Sequence, residues 1–133
     1  MRRLASAAPV GRLGTVDADG TPHLVPVCFS LVDDVVYTSV DHKPKRTSHL
    51  KRLSNVRATG AACLLVDYYD DDWSQLWWVR LDGRGRLVED PAERGVALDS
   101  LAAKYRQYAE RRPTGPVIAV DTTGISGWSA ATG

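Results

Sequence analysis

The residues best suited to chemistry lie together: Lys43, Lys45, Arg46, Lys51 and Arg52 place five of the chain's seventeen Lys and Arg side chains in ten positions. Ammonium and guanidinium groups bind anions by charge, and a guanidinium adds a bidentate hydrogen-bonding fork. Thr47 and Ser48 stand where a helix would begin and can cap it. Free backbone N–H groups and the helix dipole favour negative charge at such a point. Thr38 and Ser39, at the end of the preceding strand-like run, add hydroxyls. The pattern is that of a cradle for a phosphate. The alternative is a basic helix face that serves only solubility, and the concentration of charge argues against it.

Other groups carry less. His23, His42 and His49 could each donate a proton near neutral pH, but a lone histidine is more often a surface or satisfied polar residue, and no catalytic side chain is assigned. Asp67-Tyr68-Tyr69-Asp70-Asp71-Asp72 lacks the spaced oxygen ligands and glycine of a calcium loop, so a solvated loop capping Trp73 is expected and no metal site. No G-x-S-x-G, phosphate-binding P-loop or G-x-G-x-x-G occurs. Trp73, Trp77, Trp78 and Trp128 invite a single-stranded nucleic-acid reading. Trp77 and Trp78 are adjacent in a strand and point to opposite faces, which spoils a stacking platform.

The elements that must position the cradle follow from periodicity. Val35 to Val40 is β-branched and aromatic, a strand entered from an Asp33-Asp34 turn, and Leu50 and Leu53 mark a short amphipathic helix beyond the basic run. Gly11 to Asp17 and Thr21 to Leu31 read as strands around an Asp17-Ala18-Asp19-Gly20 turn, and Pro22 and Pro26 confine the second to an edge or force bulges. Ala61 to Tyr68 reads as a strand buried on both faces. Leu76 to Glu89 is the longest expected strand, bent at Gly83 and Gly85. Ala92 to Tyr108 forms one long helix, Val117 to Thr123 a closing strand, and Gly124 to Trp128 a turn. Six short strands without a strand-helix alternation predict an antiparallel, mainly β fold, a barrel with added helices.

At 133 residues and 44% hydrophobic, the chain suits one domain, 1–133. A net charge of +1 offers no global field for nucleic acid or an anionic membrane. Cys28 and Cys63 lack metal spacing and read as buried free thiols. With no signal peptide and no apolar run of about 20 residues, a soluble cytoplasmic protein without a membrane span is expected.

In order along nearly the whole chain, Gly11-Arg12-Leu13-Gly14-Thr15-Val16, Asp19-Gly20-Thr21-Pro22-His23, Val25-Pro26-Val27 with Phe29, and Tyr37-Thr38 before Lys43-Pro44-Lys45-Arg46 form a fairly specific set. Asp70-Asp71-Asp72-Trp73, Leu76-Trp77-Trp78-Val79-Arg80 and Ser126-Gly127-Trp128-Ser129-Ala130 extend it. The set resembles the split β-barrel proteins of the pyridoxamine 5'-phosphate oxidase-like class, and within it the coenzyme F420-dependent group. It departs from that group where Thr59-Gly60 replaces an Asn-Pro, and where Gly124-Ile125 precedes Ser126 without the usual arginine.

The resemblance implies a homodimer with a cofactor in each groove between subunits. Val25, Pro26 and Val27 would border its ring, with the Val25 and Val27 amides as donors because Pro26 has none. Thr38, Ser39, Lys43, Lys45, Arg46 and Lys51 would hold its phosphate and tail, and Trp128 would complete the site. Five cations exceed what the single phosphate of FMN needs and favour the longer anionic tail of coenzyme F420. The implied activity is hydride transfer between the reduced deazaflavin and a small conjugated or quinone-like organic substrate. FMN oxidase or reductase chemistry and a deazaflavin carrier without turnover are the alternatives.

Overall fold

The computed structural model describes residues 1–40 and 47–131, with residues 47–50 described by backbone alone. The described chain is mostly β. Seven antiparallel strands, β1 (Gly11–Val16), β2 (Pro22–Val27), β3 (Ser30–Val32), β4 (Val35–Ser39), β5 (Ala61–Tyr68), β6 (Trp77–Leu87) and β7 (Val117–Ser129), form one sheet in the order β2-β1-β5-β6-β7-β4-β3. Helices α1 (Arg2–Ala7), α2 (Thr47–Ala58), α3 (Pro91–Lys104) and α4 (Arg106–Glu110) attach to it.

Chain connectivity forces the sheet to curl. β2 and β3 lie at opposite ends of the order, yet only Cys28 and Phe29 separate them. Flat, seven strands would hold the two edges about 29 Å apart, whereas three Cα steps reach at most about 11 Å. The result is a barrel split between β2 and β3. Leu13, Phe29, Val36, Leu64, Val66, Val79, Leu81, Ile118 and Val120 fill its interior. Ala5 and Ala8, at and just beyond the end of α1, and Leu53 and Val56 of α2 join the same core. Outside, α3 sets Ala97 and Leu98 against Tyr37, Val88, Val117 and Ala119 in a second cluster.

The expected turns are present for the expected reasons. Asp17 Oδ1 accepts from the Asp19 and Thr21 amides at 2.9 Å, and Gly20 takes a φ of 85°. β6 carries a register shift between Asp82 and Gly83, where an added Cβ would lie 2.1 Å from the Asp121 carbonyl oxygen. Only glycine permits that approach.

Several expectations are corrected. Thr21 to Leu31 is two strands on opposite sheet edges, which explains both prolines, since β2 is an edge. Gly124 to Trp128 continues β7 as its second half, paired to β6 through Trp78↔Trp128, and β7 at 13 residues is longer than β6 at 11. Flexible residues there mark a strand that must bend around a barrel. The helix expected to run to Tyr108 breaks at Tyr105, whose backbone is extended at φ −119° and ψ 121°. The Tyr105 hydroxyl accepts from the Phe29 amide at 3.1 Å and faces the Pro9 carbonyl at 2.9 Å, so the side chain is recruited to the barrel's split. β5 buries Leu64 and Val66 but exposes Ala61, Asp67 and Tyr68, so it is covered on one face only. Cys28 is exposed and Cys63 half-buried, because Cys28 lies in the β2–β3 crossing and Cys63 on the outer face of β5.

Candidate functional site

Residues 41–46, including Lys43, Lys45 and Arg46, lie outside the described residues. Their brackets are defined: the run leaves the end of β4 and enters the first turn of α2. Thr38 and Ser39 are buried at that strand end. Thr38 Oγ1 donates to the Cys28 carbonyl at 2.7 Å and Ser39 Oγ to the Val40 carbonyl at 3.2 Å, which leaves each oxygen able to accept but not to donate again. α2 has no acidic residue in its first turn, and TSHLKRLSNVRA contains none at all. Arg52 is buried. Lys51 Nζ meets Asp17 Oδ2 at 3.1 Å, so its charge is already balanced at the β1–β2 turn. The Thr21 amide, followed by Lys51, holds the Asp17 carboxyl below its ordinary range.

The edge strand β2 presents an unequal set of backbone groups. Asp17 N–H bonds to the Thr21 carbonyl at 3.1 Å, and the register pairs Thr15 with His23, Leu13 with Val25 and Gly11 with Val27. Antiparallel pairs alternate between bonded and unbonded, so the Val25 and Val27 amides face β1 and are used there. Pro22, Leu24 and Pro26 face outward, and Leu24 alone offers an N–H.

Trp128 stands apart from the junction. Thr38 pairs with Ile118, and Trp128 lies ten residues farther along the same strand, at most about 33 Å away and beyond the last pairing of β4 with β7 at Asp121. One chain therefore does not bring Trp128 to Thr38 and Ser39. Trp128 faces Trp78 across β6 and β7, and with Met1, Leu4 and Val79 the pair lines a groove of about 410 Å³. A larger hollow of about 600 Å³ lies between α1 and the β3–β4 turn, lined by Arg2, Arg3, Asp33 and Asp34, at the other end of β4 from Ser39.

Two groups at the split and on α3 carried no sequence signal. Lys104 Nζ donates to the Phe29 carbonyl at 2.9 Å and sits 3.6 Å from that ring's centroid. Burial lowers its ammonium to about 8. Arg86 grips Glu93 bidentately at 2.7 and 2.8 Å and Asp121 at 2.7 and 3.0 Å, while the Tyr37 hydroxyl donates to Glu93 at 2.7 Å. Arg86, then Tyr37, pulls the Glu93 carboxyl down to about 2, and burial, then Glu93, pushes Tyr37 up to about 12. Such partners meet only after folding. Among the described residues no cluster of His, Cys, Asp and Glu could hold a metal ion, and no helix is long and apolar enough to cross a membrane.

This curled sheet with helix-plugged ends is a split barrel. The family model for pyridoxamine 5'-phosphate oxidase matches residues 1–129, and the chain belongs to that family. Among solved structures it is similar to an FAD-binding protein from Mesorhizobium loti, at 21% identity and a TM-score of 0.70 over 95% of this chain and 87% of that one. An FAD-binding protein from Mycobacterium smegmatis aligns at 20% identity and a TM-score of 0.65 over 95% and 88%. The heme storage protein HutZ from Vibrio cholerae aligns at 11% identity and a TM-score of 0.72 over 94% and 89%. At these identities the likeness is one of fold. No curated protein matches the chain in sequence.

Proposed function

We propose that the chain is a coenzyme F420-dependent oxidoreductase that exchanges a hydride between the reduced deazaflavin and a small conjugated or quinone-like organic substrate. The observation that carries the reading is the basic run Lys43 to Arg46, bracketed by the end of β4 and an α2 without acidic residues. The donor set suits an anion: cations, hydroxyls and a helix start, with Asp17, the carboxylate that meets α2, already paired to Lys51.

Thr38, Ser39, Lys43, Lys45 and Arg46 would hold the phosphate, and Lys51 would join them by exchanging Asp17 for the tail. The outer edge of β2, with the Leu24 amide and the Pro26 carbonyl beside Val25 and Val27, would border the ring. Trp128 would join the ring from a second subunit, so the reading includes a homodimer with a shared groove. Bound there, the deazaflavin supplies hydride-transfer chemistry. The chain's own part is to orient it, neutralise its tail and exclude water from the ring. A flavin in the same groove is the second reading, favoured by the similarity to two proteins named as FAD-binding.

Equilibrium titration with coenzyme F420 and with FMN decides between them. The expected preference for the deazaflavin is at least about tenfold, about 1.4 kcal/mol. Mixing the reduced complex with enones, quinones and nitroaromatics should then oxidise it faster than buffer does, whereas silence across the panel indicates a carrier. Binding of neither cofactor defeats the proposal.

A further inference from the structure

α2 is tied to β1 by polar contacts one helical turn apart. Lys51 Nζ meets Asp17 Oδ2 at 3.1 Å, Asn55 Nδ2 donates to Thr15 Oγ1 at 3.1 Å, and Thr59 Oγ1, just past the helix, donates to the Val16 carbonyl at 2.9 Å. Residues four apart share one side of a helix, so the last two β1 positions, Thr15 and Val16, and Asp17 just beyond them are each met by one turn. The apolar contacts of Leu53 and Val56 would tolerate a small slide of α2, but directional hydrogen bonds would not. The seam therefore sets where α2 begins.

Its middle tie is buried and incomplete. Thr15 and Asn55 are each 1% exposed, and Asn55 Oδ1 has no partner among the described residues. His23 Nδ1 is likewise buried and unpartnered. His23 pairs with Thr15 across β1 and β2, so the two side chains share a face, and Asn55 meets that face through the Thr15 hydroxyl. With its proton on Nε2, His23 presents a lone pair at Nδ1, and Asn55 Oδ1 presents another. Two buried acceptors, each on a residue next to Thr15, call for a donor, and one water can serve both.

We propose that one internal water sits among His23 Nδ1, Asn55 Oδ1 and Thr15 Oγ1, donating to the first two and accepting from the third, and that it fixes α2. Three contacts are typical of buried waters. His23 and Asn55 are then positioning residues for the helix that starts directly after the basic run. Their effect on cofactor binding rests on the proposed function, while the water itself does not.

A crystal structure of the chain should show a water within about 3.2 Å of all three atoms. A direct Nδ1 to Oδ1 contact, or a dry gap, overturns the assignment. His23→Phe keeps the ring and removes the acceptor, and should weaken coenzyme F420 binding about tenfold with the melting temperature nearly unchanged. His23→Asn, which restores a polar atom near the Nδ1 position, should recover the affinity. Wild-type affinity in His23→Phe, or a loss that merely follows unfolding, refutes the positioning role. Hydrogen exchange of the α2 amides reads the same role without any ligand: faster exchange in His23→Phe supports it and unchanged exchange overturns it. A wild-type chain that binds no cofactor would defeat the functional reading alone.

Discussion

Replacing Glu93 by Gln tests how α3 is held to the barrel. Glu93 takes two hydrogen bonds from Arg86 and one from Tyr37, and its carboxyl falls from 4.5 to about 2. That drop converts to roughly 3 kcal/mol as a ceiling. With 40% of the Arg86 side chain and 23% of the Glu93 side chain exposed, screening by water reduces the expectation to about 1–2 kcal/mol. In a chain of this length, the melting temperature should fall by about 3–8 °C. A carboxyl held low stabilises the fold fully above pH 4.5 and loses that contribution as pH falls towards 2. Urea denaturation followed by tryptophan fluorescence should therefore show a deficit for Glu93→Gln at pH 7 that shrinks at pH 3. An equal deficit at both pH values, or none at pH 7, would show that the Arg86 contacts do not carry the energy assigned to them.

Other changes probe the split, the bulge and the cradle. The folded chain binds fewer protons at Lys104 than the unfolded one between pH 8 and 10.5, so stability should climb across that window until the raised Tyr37 and Tyr105 hydroxyls oppose it above pH 10. Lys104→Met should flatten the climb in a pH series of denaturation curves. Gly83→Ala, which drives a Cβ into the Asp121 carbonyl, should cost more than about 2 kcal/mol by chemical denaturation, and a smaller loss would mean that the β6 bulge is soft. Lys45→Ala with Arg46→Ala should weaken coenzyme F420 at least about tenfold without changing the circular dichroism, and wild-type affinity would remove the cradle from the site.

Much of the fold was legible because local chemistry and global position agree. The Asp17 to Gly20 turn, the Pro22 and Pro26 edge and the Gly83 bend each state a backbone requirement that tertiary structure keeps. The misreadings share a cause. Gly124 and Gly127 looked like turn residues, but β7 must bend to stay paired with β6 around the barrel. Tyr105 fits a helical stripe, yet its hydroxyl binds the backbone of Phe29, 76 residues earlier. At the candidate site, the strand-to-helix bracket could be read in sequence, and the spacing of Lys51, Asn55 and Thr59 could have revealed the seam. The distance of Trp128 from Thr38 could not, because no local pattern records how far along β7 a side chain lies.

The prolines of β2 also bear on what the chain avoids. A strand edge left open is a template on which other chains can polymerise. Here a chain arriving at that edge meets the carbonyls of Pro22, Leu24 and Pro26 but only one amide proton. The ladder of a growing fibre needs donors and acceptors in equal number, and this edge lacks two of the three donors that an unbroken strand would offer, so a strand docking here forms at most four of six bonds.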